Sequence, residues 1–194
     1  MSIIFKRILI FLPFLFLGFT SKTDKIISYD KISHIIREID LNQKVILVSI
    51  KDQKLYILYK KKIINEFEIS SSKFGVGFDY GSQKTPLGMH YIKKKIGDDV
   101  PINGIFKYRQ FSGQLSIPNH PNYIEKDLIT TRILWLSGNE EQNQLTYKRC
   151  IYIHGTPEEF KIGKPSSHGC IRMRNVDIYA LYEFVEKGTL VLIQ

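Results

Sequence analysis

The segment VILVSIKDQKLYILYKKKIINEFEI, residues 45–69, decides the class of fold. It holds three short runs rich in β-branched and aromatic residues, 45–50, 55–59 and 63–69, which are separated by lysine-rich breaks. Short runs of this composition, bounded by polar breaks, are typical of β-strands joined by turns. The last run alternates polar and apolar residues, as a sheet with one packed and one solvated face requires. The segment therefore predicts a three-stranded meander.

Outward from this meander, the chain continues as short strands with few helices. A loop rich in Gly and Ser, 70–88, leads into a strand at 89–92, and residues 93–127 show no clear periodicity. Such a long irregular segment is typical of a binding loop or lid. Further strands are predicted at 128–136, 150–153 and 189–193, with a helix between Asn175 and Gly188. We predict a mostly β fold, a sandwich or partly closed barrel with one or two short helices and a long lid loop.

The first 42 residues are expected to lie outside this folded domain. Lys6 and Arg7 precede an apolar run at 8–19, which is the pattern of an export signal. Residues 1–21 are therefore predicted to be a signal peptide or, if uncleaved, an anchor in the inner membrane. In residues 22–42, isoleucines at 32, 35, 36 and 39 share one helical face, which predicts a short amphipathic helix or linker. The folded domain is then 43–194, exported to the periplasm or cell wall compartment.

Composition limits the classes of function. The 194 residues carry a net charge of +9 and only two cysteines, which excludes a disulfide scaffold and a four-thiolate zinc site. A basic exported protein is attracted to anionic membranes and cell wall. The lysine clusters lie mainly at predicted turns, so we expect no nucleic-acid partner, and membrane contact only through residues 1–21.

A cysteine and a histidine in the last third of the chain are the best candidates for chemistry. His154 lies at the exit of a predicted strand, and Cys170 lies in a turn with Arg172 and Arg174 close behind it. Cationic surroundings lower the pKa of a thiol, which makes Cys170 a candidate nucleophile. His154 is favoured as its base over His168, because a residue two positions away usually points elsewhere.

Structural explanations compete at these cysteines and histidines. Cys150 fits a small packed strand residue, and a disulfide from Cys150 to Cys170 would consume the nucleophile. A metal site made of His154, His168 and Cys170 lacks a fourth ligand. We therefore expect neither a metal nor a cofactor.

Two further positions are predicted to be helix caps. Thr156, Pro157 and Glu159 have the spacing of a capping box that opens a single helical turn. Asn175 is predicted to be the N-cap of the helix that follows Cys170. These structural roles argue against Glu159 as a general base.

Two stretches together resemble the active-site signature of the L,D-transpeptidase (YkuD-type) catalytic domain. They are Ile153-His154-Gly155-Thr156 and, after a loop, Ser167-His168-Gly169-Cys170-Ile171-Arg172-Met173-Arg174-Asn175. The strands of 45–69 and the Thr85-Pro86-Leu87-Gly88 turn are similar to the first half of the same family. The resemblance covers residues 43–194. One departure is the run Ser70-Ser71-Ser72-Lys73, which stands where the family often has Ser-Thr-Gly.

The resemblance implies an enzyme in which Cys170 is the acyl-accepting nucleophile and His154 its base, oriented by the backbone of Gly155. The N–H groups of His168, Gly169 and Cys170 would form the oxyanion hole. Substrate binding would fall to Ser167, Arg172, Thr85 and Pro86. Ser167 and His168 would also shape the turn by hydrogen bonds, and Arg172 would hold either the loop or a substrate carboxylate. The partners implied are peptidoglycan stem peptides and carbapenem-type inhibitors.

The implied reaction cleaves the bond between the L-centre of the third stem residue and the terminal D-Ala of a tetrapeptide. Transfer of the acyl group to an amine of a neighbouring stem gives a 3→3 cross-link, and transfer to water makes the protein an L,D-carboxypeptidase. A hydrolase of another cell-wall amide could use the same Cys and His. A peptidoglycan-binding module without catalysis is the remaining alternative.

Overall fold

A computed structural model describes residues 43–60, 62–121 and 127–194. The predicted signal peptide and the amphipathic segment 22–42 lie outside the described residues. Within those ranges, no helix is both long enough and apolar enough to cross a membrane.

The described chain forms ten strands and one α-helix, and two 3-10 turns at Glu141–Asn143 and Glu159–Lys161 accompany them. In chain order the strands are β1 Val45–Ser49, β2 Lys54–Tyr59, β3 Lys62–Glu68, β4 Gly88–Ile96, β5 Gly104–Lys107, β6 Gln110–Leu115, β7 Ile129–Gly138, β8 Tyr152–Gly155, β9 Ile171–Met173 and β10 Leu190–Ile193. The helix α1 spans Asn175–Phe184, between β9 and β10.

The strands form one sheet in the order β3-β2-β1-β10-β4-β7-β5-β6, and β8 branches from β7 to pair with β9. The predicted meander is present as β1–β3, with antiparallel pairing throughout. Two pairs are parallel, β1 with β10 and β8 with β9. The path ends on β3 and β6, so the sheet does not close, and the mostly β prediction is confirmed.

The core lies on both faces of β1, all of whose residues are buried. Ile46 and Val48 belong to the larger apolar cluster, to which α1 contributes Ile178, Leu181 and Tyr182. Val45 and Leu47 face a smaller cluster on the other side of the sheet. Side chains alternate across a strand, so β1 is the central layer of the domain.

The segment 93–127 differs from its prediction as an irregular loop. It contains the end of β4 and a hairpin formed by β5 and β6, whose turn lies at Tyr108 and Arg109. Both turn residues have positive φ, at 51° and 66°, as a two-residue hairpin turn requires. Neither is Asn or Gly, so the usual turn signal was missing from the sequence.

Candidate active site

The parallel pair β8–β9 brings the two halves of the signature together. Ile153 is opposite Ile171 and His154 is opposite Arg172, so Cys170, which precedes β9, lies beside Tyr152. Tyr152 and Cys170 pack into one apolar cluster, and the rings of Tyr152 and His154 meet edge to face at 6.5 Å. Residues two apart on a strand share a face. His154 therefore lies on the same face of β8 as Tyr152, two residues beyond the position next to Cys170.

The Cys170 thiol is held between backbone groups. Its Sγ accepts from the N–H of Tyr152 at 3.4 Å and donates to the carbonyl of Cys150 at 3.4 Å. Burial raises the pKa of the thiol to about 12, although the Tyr152 N–H opposes this effect. The resting side chain is thus a neutral thiol.

The sequence predicts a lowered pKa for this thiol, but the pKa is raised: the charge of Arg172 does lower it, and burial outweighs that effect. Arg172 is paired with Asp127 and Glu158, and Arg174 pairs with Glu68 and Asp177. Their positive charges are compensated by these carboxylates, so burial decides the pKa of the thiol.

His154 is 1% exposed and is oriented by its neighbour along the chain. Its Nδ1 lies 2.8 Å from the carbonyl oxygen of Gly155, so Nδ1 carries the proton and donates it. Burial lowers the pKa of His154 to about 4, against the opposing effects of Asp127 and of the Gly155 carbonyl. Nε2 is therefore unprotonated, and it makes no hydrogen bond, to Cys170 or to any other residue that the structure describes.

Asp127 is a component of the site that the sequence did not indicate. One carboxylate oxygen accepts a hydrogen bond from Nε of Arg172 at 2.7 Å and forms an ion pair with its Nη2 at 2.5 Å, and the other lies 2.6 Å from Nδ1 of His168. Burial raises the pKa of Asp127, but the charges of His154 and Arg172 and the hydrogen bonds outweigh it and hold this pKa below its ordinary value. His168 thus faces a carboxylate, whereas the thiol of Cys170 contacts backbone groups.

Arg172 is fully buried and joins two acidic groups. Besides Asp127, its Nη1 donates to Glu158 at 2.8 Å, and Glu158 in turn pairs with Lys161. A buried guanidinium with two carboxylates holds three chain segments together, since breaking such a pair strands a charge. The resemblance implies that Arg172 holds either the loop or a substrate carboxylate, and its pairs with Asp127 and Glu158 match the first of these roles.

The turn that presents Cys170 is fixed by hydroxyl groups. Ser167 Oγ donates to the Cys170 carbonyl at 2.5 Å and accepts from the Gly169 N–H at 3.3 Å. Thr85 Oγ1 donates to the Gly169 carbonyl at 3.1 Å. Ser167, Thr85 and Pro86 are all buried, and the two hydroxyls hold the turn in place, as the resemblance implies for Ser167. In this resting arrangement the Gly169 N–H, one of three predicted oxyanion-hole donors, is occupied by Ser167.

The loop 70–88 lies directly against this turn. Gly169 has a φ of +118°, and a side chain there would approach the Lys84 carbonyl at 3.4 Å. The carbonyl of Ser71 accepts from the N–H groups of Ser166 and Ser167. The serine run that departs from the family pattern therefore clamps the residues just before Cys170.

The predicted caps form differently. Asn175 is the first residue inside α1, with Arg174 at the N-cap position. Glu159 accepts from the N–H and the side-chain amide of Asn175, both at 2.8 Å, so it caps α1 instead of its own turn. The Asn175 Oδ1 accepts from the hydroxyls of Thr130 and Thr131, which ties α1 to β7.

Both cysteines are free thiols. Cys150 lies just before β8 with a φ of 57°, in a turn instead of the predicted strand position, and packs against the same cluster as Cys170. In the part of the chain that the structure describes, no group of three or more His, Cys, Asp and Glu side chains is placed to hold a metal ion.

Comparison with protein families matches residues 43–193 to the L,D-transpeptidase catalytic domain, YkuD. The chain belongs to this family of enzymes. A stretch of 41 residues is 54% identical to the "Probable L,D-transpeptidase YbiS" of Escherichia coli K12. That stretch spans 21% of this chain and 13% of YbiS.

Solved structures share the fold. The L,D-transpeptidase from Xylanimonas cellulosilytica aligns with a TM-score of 0.52 and 16% identity, over 78% of this chain and 60% of that one. L,D-transpeptidase 3 from Mycobacterium tuberculosis, in complex with a faropenem-derived adduct, aligns with a TM-score of 0.50 and 18% identity, also over 78% of this chain and 60% of that one. The chain spans 60% of the length of each of these two structures, which is less than two thirds.

Proposed function

We propose that this protein is an exported, cysteine-dependent L,D-transpeptidase of peptidoglycan. The observation that carries the proposal is the open Nε2 of His154 on the face of β8 that also holds the Cys170 thiol. A thiol nucleophile needs a base whose own orientation is fixed by a third group, and the Gly155 carbonyl supplies that third group at 2.8 Å.

Both partners of this pair are neutral at rest, with a pKa of about 12 for Cys170 and about 4 for His154. Formation of a thiolate is therefore coupled to attack, instead of preceding it. Nε2 of His154 takes the proton as Sγ bonds to the carbonyl carbon of the third stem residue. The imidazolium then returns the proton to the leaving nitrogen of D-Ala, and a thioester remains.

Asp127 supports this proton transfer. Its carboxylate is held in the ionised form by Arg172 and His168, and its negative charge favours the protonated form of His154. The charge of the imidazolium that develops during attack is thereby stabilised.

The second half-reaction releases the thioester. An amine of a neighbouring stem attacks the thioester carbonyl, loses a proton to His154 and expels the Cys170 thiol, which gives a 3→3 cross-link. Attack by water gives a tripeptide and the L,D-carboxypeptidase outcome. We also infer that carbapenem-type β-lactams acylate Cys170, since a structural relative is described with a faropenem-derived adduct.

Export rests on the sequence of residues 1–21, with a basic start and an apolar run. A peptidoglycan substrate requires that location, in the periplasm or cell wall compartment. Fractionation of cells that express the full chain tests it.

Mass analysis of products from the full chain incubated with disaccharide-tetrapeptide tests the reaction. We expect dimers linked through two third-position residues, and a covalent carbapenem adduct on the intact protein, both absent from Cys170→Ala. Tripeptide without dimers would replace the transferase with a carboxypeptidase. Equal product from Cys170→Ala, or no product from either protein, would contradict the proposal.

A further inference from the structure

Arg109 occupies an unusual position for a cation. It lies in the turn between β5 and β6 and is exposed, but its guanidinium stacks on the Trp135 ring, 4.8 Å from the centroid. Trp135 is itself fixed, since its Nε1 donates to the Tyr147 carbonyl at 3.1 Å and its ring stacks on Tyr147 at 4.2 Å. A cation on such a platform is held in one place while its edges remain open.

The polar contacts of Arg109 are few and weak. Nη1 lies 3.4 Å from the Tyr152 hydroxyl and 3.9 Å from Cys150 Sγ. A guanidinium carries five N–H donors, and within the described residues Nε and Nη2 of Arg109 have no hydrogen-bond partner. By contrast, Arg172 and Arg174 pair with carboxylates, and Arg132 and Arg149 donate to backbone carbonyls.

Arg109 and Cys170 contact the same two residues. Cys170 Sγ touches the backbone of Tyr152 and of Cys150, and Arg109 touches the side chains of both. Arg109 is therefore linked to the nucleophile through these two residues, and the shorter link runs through Cys150.

We propose that Arg109 binds a carboxylate of the stem peptide whose third residue is attacked by Cys170, an inference that rests on the proposed function. A planar guanidinium with two free edges fits a carboxylate in a bidentate arrangement. The donor offers two sources of this group, the terminal carboxylate of the leaving D-Ala and a side-chain carboxylate of the third residue. Arg109 thereby selects donors by charge next to the scissile bond.

Binding to full-length protein carrying Cys170→Ala tests this assignment without turnover. Calorimetry compares the tetrapeptide free acid with two derivatives, one amidated at the terminal carboxylate and one at the third residue. In this background, Arg109→Gln should weaken binding of the free acid on the order of ten- to a hundredfold, the range of charge-assisted hydrogen bonds. Arg109→Lys should recover part of the loss, because it keeps the charge but loses the fork.

The two derivatives identify the carboxylate. The derivative in which the recognised carboxylate is amidated should bind weakly and be insensitive to Arg109→Gln. Lys107→Gln, which removes an equal charge from the same hairpin, is the matched control and should leave all three affinities unchanged.

The assignment is overturned if Arg109→Gln binds the free acid as tightly as the Arg109 protein, if it weakens all three ligands equally, or if the Arg109 protein binds none of them. Failure of the proposed function has a different signature. Tight, Arg109-dependent binding without any product from the Cys170 protein would remove the transpeptidase reaction and leave the carboxylate site in place.

Discussion

Two buried histidines, His90 on β4 and His154 on β8, have similar environments but differ in whether Nε2 has a hydrogen-bond partner. Burial lowers the pKa of each to about 4, and the Nδ1 of each contacts a backbone carbonyl, Gly88 at 2.9 Å and Gly155 at 2.8 Å. The Nε2 of His90 is also bound, 3.1 Å from the Thr146 hydroxyl. The Nε2 of His154 has no such partner among the described residues.

The difference separates a structural histidine from one that can act as a base. With both nitrogens engaged, His90 joins β4 to the loop before β8, and its Nε2 is occupied by the Thr146 hydroxyl. His154 has the same burial and the same backbone anchor, but it retains an open lone pair on the face of β8 that also holds Cys170. Burial and pKa alone do not distinguish the two residues, whereas the hydrogen-bond partners do.

The largest effect should follow from replacing His154, whose Nε2 is free to take a proton. Gln in His154→Gln can still donate to the Gly155 carbonyl but cannot take the thiol proton. We expect acylation of Cys170 by a carbapenem to slow on the order of 10²- to 10⁴-fold, the usual contribution of a general base. Time-resolved intact mass spectrometry measures this rate.

His90→Gln is the matched control for that variant. Its acylation rate per folded molecule should equal that of the unaltered protein, because His90 lies outside the site. A comparable slowing in both variants would show that the open Nε2 is not the distinguishing property.

The charge network beside His154 should give the next largest effect. Arg172→Met leaves Asp127 and Glu158 without their buried partner, so we expect a loss of about 3 to 5 kcal/mol in the free energy of unfolding. Denaturant titration measures it. Arg174→Met removes a partly exposed arginine paired with Glu68, and should cost under about 1 kcal/mol. Similar losses for the two variants would contradict the assigned burial of Arg172.

The pH dependence of stability should reflect both histidines. Their pKa is about 4 in the folded protein and about 6.5 in the unfolded chain, so the unfolded state binds more protons between these values. Their contribution is complete above pH 6.5 and is lost as pH falls toward 4. Each histidine should add a slope of about 1.4 kcal/mol per pH unit near pH 5.

Denaturant titrations at pH 5 and pH 7 measure this slope. His90→Gln removes one of the two contributions, so its stability should fall less steeply with acid than that of the unaltered protein. An unchanged slope would mean that His90 is not held neutral by burial.

The smallest effect should come from removing the hydrogen bond to Nε2 of His90. Thr146→Val removes the hydroxyl that binds His90 Nε2 and should cost about 1 kcal/mol of unfolding free energy, with no change in acylation. Thermal or denaturant unfolding detects the loss. A gain in stability would show that the Thr146 contact is not favourable in the folded protein.

Most of the fold can be predicted from local patterns in the sequence. The meander β1–β3, the helix α1 and the strand β10 follow from alternation and helical spacing, and the fold class was predicted from them. The hairpin β5–β6 was missed because its strands are short and its turn residues, Tyr108 and Arg109, carry no turn preference. Its position is set by pairing of β5 with β7, a distant segment.

The residues of the candidate site also fall into two groups, those that sequence motifs indicate and those that only the fold brings together. Cys170 and His154 stand in recognisable motifs, whereas Asp127 lies in no motif and meets His168 and Arg172 only after folding. The raised pKa of Cys170 could not be predicted either. The sequence shows that arginines are near, but not that the thiol is buried or that carboxylates compensate the arginine charges. The hydroxyls of Thr85 and Ser167 form hydrogen bonds inside the fold, a role that the motif implies for Ser167 and that no pattern indicates for Thr85.

The parallel pairing of β1 with β10 bears on how the chain is made. β10 lies between β1 and β4 in the sheet order, so without it the strands separate into two unconnected groups, β3-β2-β1 and β4-β7-β5-β6. Residues 45–48 must wait for residues 190–193 to leave the ribosome before this junction can form. Closing such a distant contact is slow. A nascent chain therefore lacks the complete sheet until β10 has emerged, and a chain stopped before that point presents β1 and β4 as unpaired sheet edges.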